Sequence, residues 1–536
     1  MSKKIHLVCW CFLLLVLLCD ASWQGVDIIV FPESSLSIST SSDPAVARTE
    51  AASFIPHPAD NVVPCDQSHA FSYSLRALSC AARDRNMYVV ANHREKYICT
   101  AQKGCPRDNL LVYNTNVVFD RRGAVVARYR KYNLFGEAGT NRTRRAEPST
   151  FATDFGVTFG QFVCFDLLFA EPALNYTQDR MTTTTTRIND VIFSNHWFSE
   201  LPFLYGVAAQ AAWAYANDVN FLSAGYNYPV TASGGTRWFY SLHILSMWFY
   251  NEKLISGSGI YLGRDGYVDV ISEKRVSNVL VISNVPKIID GKRASNVDLQ
   301  NIVIRLNEKE MPRENVSTST YRHVNDYLKP YTSVLIDPEK GYFNRTICNR
   351  EFCCFFNVSM TYDDKNIDPN TNSSFYRYRV AVFNGTRTFT GVAKGGVKVC
   401  GIISCLDDSL ETCGQLLNDD DDDLPEKAML FRSILIRASV ERAAAHDLFV
   451  MPITLTKRML PMNASDFHYE AREARNARVV HEMRTRSPSR DLLTFAIYAR
   501  YFVNDDKDVT TDAATRNALE SILLTVLMYA LVKFVQ

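Results

Sequence analysis

Three apolar runs in the first third of the chain each stop on a residue type suited to breaking an amide: Glu33 in DIIVFPE, Lys131 in ARYRKYNLFGE and Cys164 in FGQFVCFDLLF. Amide hydrolysis through a thiol needs a nucleophilic sulfur, a base that takes its proton and returns it to the leaving amine, and positive charge where the oxyanion develops. Cysteine, glutamate and lysine fill those needs. Singly, each has a plain structural reading: a buried or disulfide-bonded cysteine, a surface strand end for Glu33 after Pro32, and a solvated edge charge for Lys131 beside Arg128 and Arg130. The combination points to chemistry.

Runs of Val, Ile and Phe read as buried strands, and a polar residue placed where such a strand stops is presented at the sheet's edge, where three strand ends can share one pocket. Between residues 27 and 262 the pattern predicts strands at 27–31, 87–91, 110–119, 125–129, 156–164, 191–194, 221–224 and 259–262, with helices at 68–85 and 201–217. That alternation is the signature of an α/β layer fold. Residues 117–120 and 123–130, joined at Arg121-Arg122, read as a hairpin. Cys164, between a strand and a helix-compatible segment, is expected at a helix N-terminus that lowers its pKa, with the Phe165 backbone N–H as an oxyanion donor. Beyond about residue 274, short β-branched and aromatic strands and cysteines take over, predicting a β-rich domain over 274–504.

The whole chain fits this reading. Its 536 residues are ordinary globular material for several domains, and a net charge of +1 gives no electrostatic pointer to nucleic acid or an acidic membrane. Lys3 and Lys4, the apolar residues 5–18 and the small residues before Trp23 have the order of a signal peptide cleaved after Ala21, with an uncleaved anchor as the rival. Cys9, Cys11 and Cys19 leave with that segment. Setting Cys164 aside leaves ten cysteines, an even number suited to an oxidising compartment, in two local groups. Cys99 with Cys105 is the easiest loop to close, and the other pairings stay open. Sequons stand at Asn141, Asn175, Asn315, Asn344, Asn357, Asn372, Asn384 and Asn463. Residues 522–535 are apolar but short for a spanning helix. With small residues at 512–514 and a polar spacer before them, residues 505–536 predict a linker and a GPI-attachment signal, against a packed C-terminal helix. The acid block 419–423 and the threonines 182–186 read as loops.

Four segments, DIIVFPE, RYRKYNLFGE, TDFGVTFGQFVCFDLLFAEPA and NHWFSELPFLYGVAAQAAWAYANDVNFLSAGYNYP, together resemble the nitrilase, or carbon-nitrogen hydrolase, superfamily, and within it the vanin and biotinidase branch. The resemblance implies a four-layer αββα sandwich over 22–273, then the β-rich, disulfide-containing domain. It implies Glu33 as base, Lys131 as oxyanion stabiliser, Cys164 as nucleophile and Glu137 as a second carboxylate orienting the lysine. His196, Trp197 and Asn195 are candidates for lining the pocket. It also implies no metal or organic cofactor, a small amide as substrate with pantetheine first and a biotin amide second, and a secreted or GPI-anchored location. A catalytically silent surface-binding homologue is the reading from a different class. Two departures stand out. Only Trp23-Gln24-Gly25 separates the signal-like segment, with its small residues to Ser22, from the strand before Glu33, where the family has a further strand and helix. An aromatic run at 235–251 also interrupts family-like segments, either retained intron sequence or a membrane-facing or pocket-covering loop.

Overall fold

The structure is a computed structural model that describes residues 24–36, 52–177, 187–226, 257–306, 324–361, 376–417 and 429–505, apart from a few positions inside these ranges, together with Leu18 and residues 20–22. The rest of the expected signal peptide, the threonine run, the aromatic run 235–251, the acid block, Asn315, Asn372 and the tail beyond 505 lie outside the described residues.

In chain order the first half contains β1 (Ile28–Val30), β2 (Ala52–Phe54), helix α1 (Tyr73–Asp84), β3 (Tyr88–Ile98), β4 (Leu110–Phe119), β5 (Val125–Arg130), β6 (Ser149–Ala152), β7 (Thr158–Val163), β8 (Asp190–Ser194), β9 (Glu200–Leu201), helix α2 (Gly206–Asn217), β10 (Asn220–Ala224), β11 (Ser258–Leu262) and β12 (Tyr267–Ile271). One sheet has β1 and β2 end to end along β3, followed by β4 and β5; the other runs β12-β11-β10-β8-β7-β6. Alternation along the strands explains the layering. Tyr88, Val90, Val118 and Ala127 meet Phe151, Phe159 and Ile192 of the second sheet. Their neighbours Val89, Ala91, Val117 and Phe119 face the opposite way, onto Leu75, Leu78 and Ala82 of α1. Val191, Phe193 and Phe221 turn outward onto the layer containing Trp213 of α2. The order helix, sheet, sheet, helix is the αββα sandwich.

Both helices end where the sequence pattern stops and begin later than it predicts. The Ser72 hydroxyl accepts from Leu75 N and caps α1, which removes 68–72 from the helix. Pro202 and the short β9 occupy the residues before α2. β3 runs on to Ile98, well past the expected 91, because Asn92–Ile98 pairs with Leu110–Asn116. Among the described residues β1 lies at the edge of its sheet. Leu18 and Ala21 are fully buried in the α1 layer with Ile29 and Phe31.

The second half is a β-sandwich. One five-stranded sheet orders Thr332–Leu335, Arg377–Phe389, Ala393–Cys405, Thr494–Tyr501 and Leu448–Leu455; the other orders Tyr342–Asn349, Phe352–Thr361, Leu430–Glu441, Arg478–Thr485 and Phe467–Ala474. Phe356, Val358, Ile434 and Ile436 meet Val380, Val382, Ile402 and Ile497 between them. The outer face of the first sheet, with Phe383, Val399, Met451 and Tyr498, joins the core that contains α2. Helix α2 (GVAAQAAWAYAN) is therefore apolar on nearly every side because it is covered from both sides, unlike the one-sided α1.

Disulfides join Cys65–Cys80, Cys99–Cys105, Cys348–Cys353, Cys354–Cys400 and Cys405–Cys413, leaving Cys164 free among the described residues. Cys354–Cys400 ties the two sheets of the second sandwich together across a separation of 46 residues, whereas Cys348–Cys353 spans 5. Cross-link stabilisation grows with the length of chain closed. Replacing Cys354 and Cys400 by alanine is expected to cost about 4 kcal/mol in denaturant unfolding, and the Cys348/Cys353 pair clearly less. Equal losses would show that loop closure is not what these bonds contribute.

Candidate active site

Glu33, Lys131 and Cys164 each follow the last residue of a strand, or nearly so: β1, β5 and β7. β1 runs parallel to β3, and β5 returns to that direction after two antiparallel pairings, so Glu33 and Lys131 emerge at the same end of their sheet. Ser194 at the end of β8 donates to Phe31 O at 2.8 Å and joins the two sheets there.

The lysine is the centre. Its Nζ lies 2.8 Å from Glu33 Oε1 and 2.5 Å from Glu137 Oε1, with the Lys131 and Glu33 side chains only 1% and 5% exposed. Glu137 is fixed in turn by the Phe135 backbone N–H on Oε2 at 2.5 Å. The Cys164 thiol is a hydrogen-bond partner of Glu33, and the His196 backbone faces the same sulfur. Burial pushes the Lys131 ammonium down, but Glu137, Glu33 and the cysteine outweigh it and hold the lysine well above its ordinary value. Burial pushes the Glu33 carboxyl up; the adjacent Lys131 charge and hydrogen bond overcome that and leave it below its ordinary value.

The expected low-pKa thiol is not what the site holds. Burial, and then the Glu33 charge, push Cys164 well above its ordinary value, while Lys131 only partly opposes them. The five-residue 3-10 turn Cys164–Leu168 follows, too short to supply the dipole of a regular helix. A buried protonated thiol beside an ionised carboxylate suits proton transfer at the moment of attack.

Cys164 has φ +50°, a left-handed conformation that costs a non-glycine residue about 1–3 kcal/mol. Asp166 holds it there. Its carboxylate accepts from Tyr129 Oη at 2.7 Å, Asn133 N and Nδ2 at 2.8 Å, and Val163 N at 3.1 Å. Burial still pushes Asp166 up to about 6.

Residue types and spacing did not single out this clasp, nor an asparagine ladder. Asn114 Nδ2 donates to Glu33 Oε1 at 2.7 Å, and Asn92 Nδ2 donates to Asn114 Oδ1 and Asn116 Oδ1 at 2.8 and 3.0 Å. The available signal was the polar triplet Asn114-Thr115-Asn116 inside an otherwise apolar strand.

The remaining candidates separate. His196 is at the site: its ring stacks on Phe198 at 5.7 Å and meets Tyr226 at 4.7 Å, and burial lowers its pKa, so it is neutral. Phe165 is buried, with its ring 4.9 Å from Phe135. Trp197 and Asn195 flank His196 in the chain and are tied into the surrounding fold. The Trp197 indole donates to Leu204 O at 3.0 Å inside the core, and Asn195 Nδ2 ties the end of β8 to Ser223 and Ala224 of β10. Among the sequons, Asn344, Asn357 and Asn463 are exposed; Asn141, Asn175 and Asn384 are half-buried, and Asn384 Oδ1 accepts from Lys398 at 2.6 Å.

The family model of the carbon-nitrogen hydrolases matches residues 12–241, and that of the vanin C-terminal domain matches residues 321–505. Vanin-like protein 1 of Drosophila melanogaster is 34% identical over 502 residues, covering 90% of this chain and 80% of that protein. Human pantetheinase is 30% identical over 401 residues, covering 74% of this chain and 68% of its own length, and human biotinidase is 28% identical over 411 residues, covering 74% and 69%. With both domains matched and a buried free cysteine at the strand end, the chain is an amidase belonging to the vanin branch of the carbon-nitrogen hydrolases.

Proposed function

We propose that this amidase cleaves a linear, non-peptide amide through a thioester on Cys164, with pantetheine as substrate and pantothenate and cysteamine as products. The observation that carries the chemistry is the buried Glu33–Lys131 pair, extended to the partly exposed Glu137, against the lone free thiol of the described residues. Glu33 takes the thiol proton as sulfur attacks the carbonyl carbon, and the developing oxyanion is stabilised by the Lys131 ammonium and the Phe165 N–H. Glu33 gives the proton to the departing amine. Water then attacks the thioester, losing a proton to the same carboxylate, and the acid leaves as the proton returns to sulfur. Two carboxylates and one ammonium carry one net negative charge, and passing the thiol proton to Glu33 moves that charge without changing it. Glu137 acts by keeping the lysine charged and in place.

The resemblance to proteins named pantetheinase and biotinidase supports both acyl groups, so a substrate panel decides. Pantetheine is expected to turn over faster than biocytin; preferential release of biotin would reassign the substrate, and no turnover by folded protein would leave a silent binding homologue. Cys164→Ala is expected to abolish turnover, with the wild-type acyl-enzyme trapped on Cys164 by mass spectrometry. Lys131→Gln is expected to lower kcat by about 10²–10³-fold.

Because Glu33 must be ionised and lies below its ordinary 4.5, the acid limb of kcat/KM is expected below that value. No alkaline limb is expected before the ordinary thiol value of 9.0, since both Cys164 and Lys131 are raised. A limb near 6 would instead report protonation of Asp166.

The five disulfides support a secretory location, and the tail composition supports a GPI anchor. Phosphatidylinositol-specific phospholipase is then expected to release the protein from cells. Retention together with recovery of peptides from 522–536 would replace the anchor with an ordinary apolar tail.

A further inference from the structure

A hairpin of the second domain reaches the candidate site, beside Arg500 of strand Thr494–Tyr501. Its strands Arg377–Phe389 and Ala393–Cys405 turn at Thr390 and Gly391, with φ +44° and +71°. Arg387 anchors the arm: its guanidinium bonds Glu200 of β9 and lies 2.9 Å from Asp326, all three side chains buried, and the Thr390 hydroxyl donates to the same Glu200. Beyond this anchor the tip touches both segments that carry the chemistry.

Phe389 is buried with its ring 5.8 Å from that of Phe165, the residue after the nucleophile. Arg500, fully buried, stacks over Phe389 at 5.2 Å and donates from Nε to Leu168 O at 2.8 Å, at the far end of the turn that begins with Cys164. On the other side Val392 abuts Gly136, the residue before Glu137. A Cβ built there would lie 3.4 Å from Val392 Cγ1, and Gly136 has φ +72°. The hairpin therefore spans from the strained turn of Cys164 to the loop whose Glu137 holds Lys131.

We propose that the hairpin tip, through Phe389 and Val392, is a positioning element of the active site that holds the Cys164 turn and the Glu137 loop at reacting distance. The second domain is thereby a working part of the amidase. The inference rests on the reading of Cys164 as nucleophile, and displacements of order 1 Å in such a constellation cost about 10²-fold in rate.

The test uses the full chain with Phe389→Leu, Val392→Ala and Val392→Ile, and Tyr342→Ala as a control on the exposed edge of the other sheet of the second sandwich. Two quantities are measured per titrated thiol: amide turnover, and the rate of Cys164 alkylation by iodoacetamide across pH. Phe389→Leu and Val392→Ala are expected to lower kcat by about tenfold, with KM moving less and the alkylation profile shifted. Val392→Ile and Tyr342→Ala are expected to match wild type. Wild-type kcat and alkylation in both Phe389→Leu and Val392→Ala would overturn the proposal. If Phe389→Leu does not fold, the half-exposed Val392→Ala decides alone. A wild-type chain inert on every amide, with alkylation still altered in the variants, would sink the amidase reading and leave the positioning role standing.

Discussion

An ammonium group buried between two carboxylates sets the terms for everything around it. Removing one charge of such a group leaves another without a partner, which costs several kcal/mol, so the three must be delivered together or not at all. The fold meets that demand with rigid parts. Glu33 and Lys131 come from the ends of β1 and β5 in one sheet, Glu137 from the loop that follows, and the asparagine ladder of β3 and β4 supplies the remaining hydrogen bonds. The second sheet contributes the sulfur and its turn from the end of β7, and His196 after β8, so the reacting pair meets across the two layers.

Strain on one side is matched by satisfaction on the other. Cys164 sits in a left-handed conformation, and the turn that keeps it there is closed by Asp166 from within the first domain and by Arg500 from the second. Protein folds tolerate such backbone only where the surroundings over-determine it. Here four donors on one carboxylate and an arginine on a carbonyl do so.

Legibility in the sequence followed the strength of local patterning. The strands ending at Glu33, Lys131 and Cys164 were readable because each is an uninterrupted apolar run with a polar stop, and the hairpin of β4 and β5 because its turn is short. Helix starts were misjudged where a serine cap and a proline, rather than apolar period, decide the boundary. The lowered thiol pKa was misread because a strand-to-turn pattern says nothing about how deeply the turn is buried. Asp166, Asn114 and Arg500 escaped notice for a common reason: each has a partner distant in the chain, Asn133, Glu33 and Leu168 lying 33, 81 and 332 positions away. The pocket roles expected of Asn195 and Trp197 came from the family resemblance, which gives no sign of the bonds that tie the one to Ser223 and Ala224 and the other to Leu204.

Helix α2 carries a consequence for biosynthesis. It is apolar on both broad faces because one lies on the second sheet and the other under strand Leu448–Leu455. Some 230 residues separate Asn217 from Leu448. At about 5–20 residues per second, the growing chain leaves the uncovered face of this helix without its partner for roughly ten seconds to most of a minute. During that interval the first half of the chain exposes an alanine-rich apolar surface that the folded protein buries.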